Sequence, residues 1–333
     1  MIRLQASTLV FTVAAFTHAV CAFGQDGDGS KFVEAYGYEK CVELRNPSVR
    51  VVVCPIGGRV IEYSLNGKHS LQLDEREPGF KPGKRRSMSA GRFDIGPEKV
   101  IPNRPLLWSG TWTPKIVGPR TAELVSPDDP ATGSRLTRRF VLSPDSTRLK
   151  CTQTITNIGS KTTEWCHWSR TFALGNGIVV MPVTHPSRFP NHYVMYDRPG
   201  DNIDIKPSDP NIRVRDGFLE ITDVPTNPKL GMDTQAGWLA YAMQNDLLFV
   251  KRFKVYPDRV YNEVAGLTVS IWYPEDRRVE LEPIGPREQL KPGQSGSFTE
   301  EWWLLPFDFP KDRVVDLKKL EKAVTEQTRP PSS

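Results

Sequence analysis

The clearest alternation of apolar and acidic residues lies in a short segment near the C-terminal end of the chain. The segment reads Val279, Glu280, Leu281, Glu282. A period of two predicts a strand with one dry face and one wet face. Val279 and Leu281 should therefore face a core, and Glu280 and Glu282 should share the opposite face.

The residues that follow this strand predict a β-hairpin over residues 278–306. Pro292-Gly293 has the chemistry of a type II turn, because proline presets φ and glycine tolerates the positive φ that comes next. Residues 298–305 are rich in bulky aromatic and aliphatic side chains, which favours a returning strand.

Ten further segments are short, rich in apolar or β-branched residues, and bounded by Gly, Pro or Asn. They are residues 50–53, 59–65, 121–126, 135–142, 149–156, 163–173, 178–183, 238–244, 247–255 and 267–273. Many short strands of this kind predict an all-β sandwich. Two proline-rich stretches, 97–130 and 182–228, are expected to form long excursions packed on the sheets.

The two ends of the chain differ from this pattern. Residues 9–22 are almost wholly apolar and follow Arg3, which predicts a signal peptide over residues 1–24, too short for a membrane span. The protein is then expected to be secreted, periplasmic or in the cell envelope, with no stable span after cleavage. Residues 25–310 should form one domain, and residues 311–333 a short helix with apolar residues at helical spacing and a disordered tail.

Charge and motifs exclude several classes of function. The formal net charge of +5 is weak for 333 residues, and the basic residues form no helical stripe, so nucleic acid is not an expected partner. The basic run KPGKRR at residues 81–86 is either a solvated loop or a contact for an acidic glycan. The sequence contains no P-loop, G-x-G-x-x-G, H-E-x-x-H or G-x-S-x-G motif.

Four cysteines outside the signal segment suggest two disulfides. Cys41 and Cys54 flank one turn signal, and Cys151 and Cys166 flank another, so each pair should lie opposite in its own hairpin. The alternative is four buried thiols. The spacing does not match a zinc knuckle, and no metal or cofactor is expected.

The predicted cysteine register also places a histidine. If Cys151 opposes Cys166, then Lys150 opposes His167. His167 would then join the polar face of its strand, away from the cysteines and from the sandwich interior. His167 and Glu282 are therefore both predicted to point onto the exposed concave face and into one shared cleft.

Several motifs resemble the galactose mutarotase (aldose 1-epimerase) superfamily. The sequence LEP at the Glu282 strand and the following L-x-PG-x-S look like the superfamily's C-terminal catalytic strand, and PIGGRVI at residues 55–61 is similar to its opening hairpin. GWLAY at 237–241 and EWW at 301–303 look like an uncharacterised secreted branch. The resemblance covers roughly residues 35–306. It implies a mutarotase-like supersandwich with one short C-terminal helix.

The resemblance also implies roles for two residues. Glu282 corresponds to the general base that takes the proton from the anomeric hydroxyl, and His167 to the general acid that protonates the ring oxygen. Each has a plainer interpretation, Glu282 as a carboxylate on an exposed strand and His167 as a polar-face residue without catalytic duty.

Other residues are candidates for binding the substrate. Arg59, Arg92 and Arg170 would orient sugar hydroxyls or an anionic substituent, and Trp168 would stack on a sugar ring. Arginines of this kind are more often surface or ion-pair residues, and tryptophans more often core residues.

Two classes of function remain open from the sequence. The preferred one is a carbohydrate-binding protein of mutarotase-like fold, with aldose-1-epimerase-type isomerase activity as its more specific form and an acidic glycan among its candidate ligands. The alternative is a non-catalytic glycan-binding module or a cell-envelope structural or interaction protein.

Overall fold

The computed structural model describes residues 28–77, 79, 89–197 and 202–328, and strands dominate these parts of the chain. The predicted signal segment and the basic run at residues 81–86 lie outside them. All ten short segments predicted as strands form strands, with ends that shift by two residues or fewer. The all-β prediction is confirmed.

In chain order, the first strands are β1 (Ser30–Ala35), β2 (Tyr38–Arg45), β3 (Val49–Cys54), β4 (Arg59–Leu65), β5 (Lys68–His69) and β6 (Gly91–Gly96). Helix α1 (Pro105–Ser109) precedes β7 (Thr113–Gly118), β8 (Thr121–Val125), β9 (Ser134–Leu142), β10 (Leu149–Asn157), β11 (Thr163–Leu174) and β12 (Ile178–Pro182). Then come β13 (Val194–Tyr196), β14 (Ile203–Asp204), β15 (Ile212–Arg215), β16 (Phe218–Ile221), β17 (Lys229–Met232), β18 (Trp238–Met243) and β19 (Leu247–Phe253). A 3-10 turn (Val264–Gly266) leads to β20 (Val269–Glu275), β21 (Arg278–Leu290), β22 (Ser295–Pro306) and helix α2 (Leu317–Gln327).

The strands form two antiparallel sheets. The first has the order β1-β2-β3-β4-β6-β11-β21-β20-β17-β13-β14, with β5 paired to β4. The second has the order β15-β16-β12-β18-β19-β22-β10-β9-β8-β7. The two proline-rich excursions contribute β7 and β8 at one edge of the second sheet, and β13 to β16 at edges of both sheets.

Two predicted hairpins are instead connections between the sheets. β21 pairs with β11 and β20, whereas β22 pairs with β10 and β19, so the hairpin predicted over residues 278–306 is wrong. Its turn was predicted correctly, because Gly293 has φ 78° and Gln294 N donates to Lys291 O at 2.9 Å. Alternation cannot distinguish the two outcomes, since every strand of a sandwich turns one apolar face inward.

The connection from β10 to β11 crosses the sandwich in the same way. β10 pairs with β9 and β22 in the second sheet, and β11 pairs with β6 and β21 in the first. The expected register of Cys151 opposite Cys166, and Lys150 opposite His167, is therefore wrong. The two crossing segments lie side by side, where Asn157 N donates to Gln294 O and Gly293 N donates to Asn157 O, each at 2.9 Å.

The main core fills the space between the sheets. From the first sheet it receives Phe93 and Ile95 of β6 and Leu281 of β21, and from the second Phe298 and Trp302 of β22. We call the side of the first sheet that faces this core its inner face, and the opposite side its outer face. Alternation along β21 thus sends Val279 and Leu281 inward, as predicted, and Glu280 and Glu282 outward.

The predicted C-terminal helix is present. Asp316 caps it by accepting a hydrogen bond from Lys319 N at 3.0 Å. Leu317, Leu320 and Val324 pack against the second sheet, whereas Val314 lies before the helix and is exposed. Among the described helices none is long and apolar enough to cross a membrane.

Candidate active site on the outer face of the first sheet

The register of β6 against β11 brings four large side chains together on the outer face. Arg92 lies opposite Arg170, and Asp94 lies opposite Trp168. Like charges directly opposite each other in a sheet destabilise it unless something compensates. The juxtaposition of two arginines in the middle of a sheet therefore needs an explanation beyond folding.

Strand β21 adds two carboxyl groups to this face. Arg170 Nε lies 3.1 Å from Glu280 Oε1 and 4.0 Å from Glu282 Oε1. Trp168 Nε1 donates a hydrogen bond to Glu282 Oε2 at 3.2 Å. Arg170 thus contacts both carboxyls, and the Trp168 indole orients one of them.

Neighbouring segments complete the site. Trp108 of α1 stacks under Arg92, with 3.4 Å between the guanidinium carbon and the ring centre. Arg104, just before α1, forms a bidentate ion pair with Asp94 and contacts its Oδ1 at 2.9 Å. Lys229 of β17 lies 2.5 Å from Glu98 and 4.0 Å from Glu282 Oε2. We define the polar cluster as Arg92, Asp94, Arg170, Lys229, Glu280 and Glu282, with the rings of Trp108 and Trp168.

Several atoms of the polar cluster are buried without a hydrogen-bond partner in the described structure. They are Arg92 Nη1 and Nη2, Glu280 Oε2 and Glu282 Oε1. Buried polar atoms are nearly always hydrogen-bonded in native proteins, and an unpaired one costs about 1–3 kcal/mol. Side chains of Arg170, Lys229 and Arg104 are 12–17% exposed, so the cluster reaches solvent along this side.

The pKa shifts of the polar cluster differ in direction from one group to the next. Burial raises the pKa of Glu282 well above its usual value, and the adjacent Glu280 raises it further. Burial lowers the pKa of Arg92 well below its usual value, and the charges of Arg59 and Arg170 act in the same direction. Burial opposes ionisation of Asp94, but Arg104 outweighs it and lowers the pKa of that carboxyl.

His167 is not part of the polar cluster. It lies on the inner face of β11, fully buried, where its ring stacks on Phe298 at 5.9 Å between ring centres and its Nδ1 lies 3.3 Å from Gln153 Nε2. Burial lowers the pKa of His167 to about 3. The predicted cleft shared by His167 and Glu282 is therefore wrong, because alternation along β11 turns His167 and Trp168 to opposite faces.

The other predicted binding residues divide into two groups. Arg92 and Arg170 lie in the polar cluster, and Trp168 lies beside it, fully buried, with its indole used to hold Glu282. Arg59 is already engaged, because its Nη2 contacts Glu77 Oε2 at 2.7 Å and its Nη1 donates to Ser89 O at 2.5 Å.

All four described cysteines are free thiols. Cys41 and Cys54 lie side by side in the hairpin of β2 and β3, as predicted, but no disulfide joins them in the structure. Cys151 faces the main core from the second sheet, whereas Cys166 lies in a separate apolar group on the outer face of the first. The predicted Cys151–Cys166 bond is wrong because the first sheet separates the two thiols.

Sequence reasoning missed three features of the site: Asp94, Lys229 and the pairing role of Glu280. Asp94 and Glu280 had a usable signal, since each alternates with a predicted site residue two positions away on the same strand. Lys229 comes from a distant segment and had none. In the described ranges, no three His, Cys, Asp or Glu side chains are grouped to hold a metal ion.

Solved structures with low sequence identity share this two-sheet architecture. A galactose mutarotase related enzyme from Lactobacillus acidophilus is 11% identical with a TM-score of 0.56, over 81% of this chain and 99% of that one. A galactose mutarotase-like protein from Lactobacillus casei is 10% identical with a TM-score of 0.54, over 80% and 100%. This chain has the galactose mutarotase-like fold. The fold prediction is confirmed.

A third solved structure with a similar architecture is that of the Slr1438 protein of Synechocystis sp. PCC 6803. It is 15% identical with a TM-score of 0.56, over 83% of this chain and 100% of that one. No protein-family model and no curated protein matches the sequence. The likeness is one of mutarotase-like architecture, and the function must be argued from the polar cluster.

Proposed function

We propose that the protein binds a carbohydrate at the polar cluster. The observation that carries this proposal is the set of buried, unpaired hydrogen-bonding atoms on Arg92, Glu280 and Glu282. Sugar hydroxyls both donate and accept hydrogen bonds, so one sugar can satisfy guanidinium donors and carboxylate acceptors together. Aromatic rings beside such groups suit the apolar faces of a sugar.

The charge distribution favours a sugar that carries an anionic group. Arg92 and Arg170 lie opposite each other on neighbouring strands, and among the described residues a carboxylate lies within 4.0 Å of Arg170 but not of Arg92. A carboxylate, sulfate or phosphate between the two guanidiniums would relieve their repulsion and occupy Nη1 and Nη2 of Arg92. Neutral sugars would leave that repulsion in place.

An isomerase of the aldose-1-epimerase type is the more specific candidate. The galactose mutarotase related enzyme from Lactobacillus acidophilus shares the fold, and Glu282 is the carboxyl that the sequence motif assigns to proton transfer. Burial raises the pKa of Glu282, which suits a carboxyl that donates a proton. Sugar binding without anomer exchange would instead indicate a non-catalytic module.

Export of the protein is a separate proposal that rests on residues 1–24 of the sequence. We expect cleavage near Gln25 and a secreted, periplasmic or cell-envelope location. Mass spectrometry of the protein from its native host would test this. An intact Met1 on a cytoplasmic protein would contradict it.

A glycan array followed by titration calorimetry tests the binding proposal. Galacturonate, glucuronate and their neutral parents form matched probe pairs that differ in one carboxylate. Arg92→Met should weaken binding of the acidic sugars about 10- to 100-fold, the usual worth of a charge-assisted hydrogen bond, and should change the neutral sugars less. Arg135→Met, an exposed arginine paired with Asp128, is the control. Failure to bind any array member would contradict the proposal.

A further inference from the structure

We propose that Glu280 and Glu282 together form the acid–base pair that interconverts sugar anomers, with one proton shared between them. This inference rests on the proposed function, because it supplies the chemistry of the same polar cluster. It replaces the histidine–glutamate pair that the sequence suggested. His167 lies on the far side of the sheet and has no path to an outer-face sugar.

The strand geometry places the two carboxyls next to each other. Residues two apart on a strand project from the same face, with their Cα atoms about 6.5–7 Å apart. Both carboxyls lie within 4.0 Å of Arg170 Nε, so they meet at one guanidinium. Burial raises the pKa of Glu282 and the Glu280 carboxylate raises it further, which favours a proton held on this pair.

The surroundings distinguish the acid from the base. Arg170 Nε lies nearer to Glu280 Oε1, at 3.1 Å, than to Glu282 Oε1, at 4.0 Å. Trp168 donates to Glu282 Oε2, which suits the carbonyl oxygen of a neutral acid and leaves Oε1 to carry the proton. Glu280 Oε2 and Glu282 Oε1 are the unpaired atoms, so an acceptor and a donor are both available to a ligand.

Anomer exchange requires such a pair within reach of one carbon. The ring oxygen and the anomeric hydroxyl are bonded to the same C1, so neighbouring carboxyls on one side of the sugar reach both. Glu282 gives its proton to the ring oxygen as the bond from C1 to that oxygen breaks and its electron pair moves onto the oxygen. Glu280 takes the proton of the anomeric hydroxyl as that oxygen forms the aldehyde C=O bond.

Ring closure restores the starting state of the enzyme. After rotation about the C1–C2 bond, the ring hydroxyl attacks the other face of the aldehyde and loses its proton to Glu282. Glu280 returns its proton to the carbonyl oxygen, which becomes the anomeric hydroxyl of the second anomer. The pair begins and ends with one proton, and the sugar is neither oxidised nor reduced.

Exchange NMR on the anomeric protons tests this inference, with D-galactose, D-glucose and D-glucuronate as probes. Glu280→Gln and Glu282→Gln should each slow enzyme-catalysed exchange by about 10²–10⁴, the usual contribution of an acid or base. His167→Gln should retain exchange, as should Glu288→Gln, a same-strand control whose carboxylate pairs with Arg259. Near-ultraviolet circular dichroism checks that each variant is folded.

The pH profile of the unmodified protein gives a second test that needs no variant. A pair that works with one shared proton should give a bell-shaped kcat/KM profile, because activity is lost when both carboxyls are protonated and when both are ionised.

Loss of exchange in His167→Gln but not in Glu280→Gln would overturn the inference. Sugar binding by the wild type without any exchange would overturn it and leave the binding proposal intact. No binding of any probe would remove both.

Discussion

The two faces of β11 bury charged groups in different ways. On the inner face, Lys251 Nζ lies 3.0 Å from Glu300 Oε2 and donates to Ser169 Oγ at 2.5 Å and to Leu281 O at 3.0 Å. On the outer face, the Arg92 guanidinium stacks on a ring, and both of its η nitrogens lack a partner within the described residues. Lys251 is thus paired on several sides, whereas the η nitrogens of Arg92 have no hydrogen-bond partner among the described residues.

This difference separates a structural network from a site that a ligand completes. A buried charge whose bonding groups are all used stabilises one arrangement of the two sheets. A buried charge with free bonding groups costs stability in the empty protein and gains its partner when something binds. The variants below test this contrast through stability, from the largest expected effect to the smallest.

Removing the inner cation should destabilise the protein most. Lys251→Met leaves the buried Glu300 carboxylate without its ammonium partner, which costs about 3–5 kcal/mol in buried pairs of this kind. Urea unfolding should show a lower midpoint with an unchanged slope.

Two further variants separate charge from packing in this result. Lys254→Met changes an exposed lysine three residues away and should be nearly neutral. Adding Glu300→Gln to Lys251→Met should restore part of the loss, because it removes the unpaired charge and keeps acceptors for Ser169 and Trp302. If Lys251→Met leaves the unfolding free energy unchanged, the hydrogen bonds and ion pair of Lys251 on the inner face do not stabilise the fold.

The next prediction uses the cysteines to test which side chains lie on which face of the first sheet. Cys41 and Cys54 share one hairpin and one face, so oxidised glutathione should join them and stabilise the protein by about 2–3 kcal/mol. Cys151 and Cys166 lie on different sides of the first sheet and should remain alkylatable on unfolding. Non-reduced peptide mapping distinguishes the two pairs, with Cys41→Ser as control. A Cys151–Cys166 peptide would contradict the topology.

The sequence predicted strands well because each strand shows its own period locally. The ten predicted strands, the Pro292-Gly293 turn and the final helix all depend on neighbours a few residues apart. Pairing between strands depends on which sheet receives the next strand, and that choice leaves no local signal. Both wrong hairpins, β10 to β11 and β21 to β22, are crossings between apolar inner faces that look alike in sequence.

The candidate site was predicted in part for the same reason. Glu282 was found because a motif placed it locally, and Arg92 and Arg170 were named for the chemistry of their side chains. His167 was assigned to the wrong face because its side was deduced from a cysteine pairing that the fold does not form. Lys229 joins from β17, at least 49 residues along the chain from β11 and β21, through a sheet order that no local pattern contains.

Protonation of the inner histidine should make the protein acid-sensitive. The folded-state pKa of His167 is lowered to about 3 from 6.5, so the folded protein excludes a proton that the unfolded chain binds. Its contribution is present above pH 6.5 and is lost as pH falls towards 3, at about 1.4 kcal/mol per pH unit. His167→Gln should flatten stability over this window, and the exposed His185→Gln should not. If the unfolding free energy of His167→Gln falls with pH as steeply as that of the wild type, the argument from the burial of His167 is contradicted.

The outer face should show the opposite sign of pH dependence. Glu282 has a raised folded-state pKa, so the folded protein holds a proton that the unfolded chain releases above its ordinary value of 4.5. Its contribution is present below pH 4.5 and is lost as pH rises through the raised pKa. Urea unfolding of Glu282→Gln across this range should show a smaller loss of stability on alkalinisation than the wild type does.

Removing the outer cation should change stability least. Arg92 contributes no hydrogen bond through its η nitrogens in the described structure, and its charge is repelled by Arg170 and Arg59. Methionine keeps much of the contact with the Trp108 ring and removes the charge. We expect Arg92→Met to shift the unfolding free energy by less than about 1 kcal/mol, with stabilisation the expected sign. A loss of 3 kcal/mol or more, matching Lys251→Met, would mean that both faces are structural. If Arg92→Met leaves the unfolding free energy unchanged but abolishes binding of an acidic sugar, Arg92 serves ligand binding and not stability.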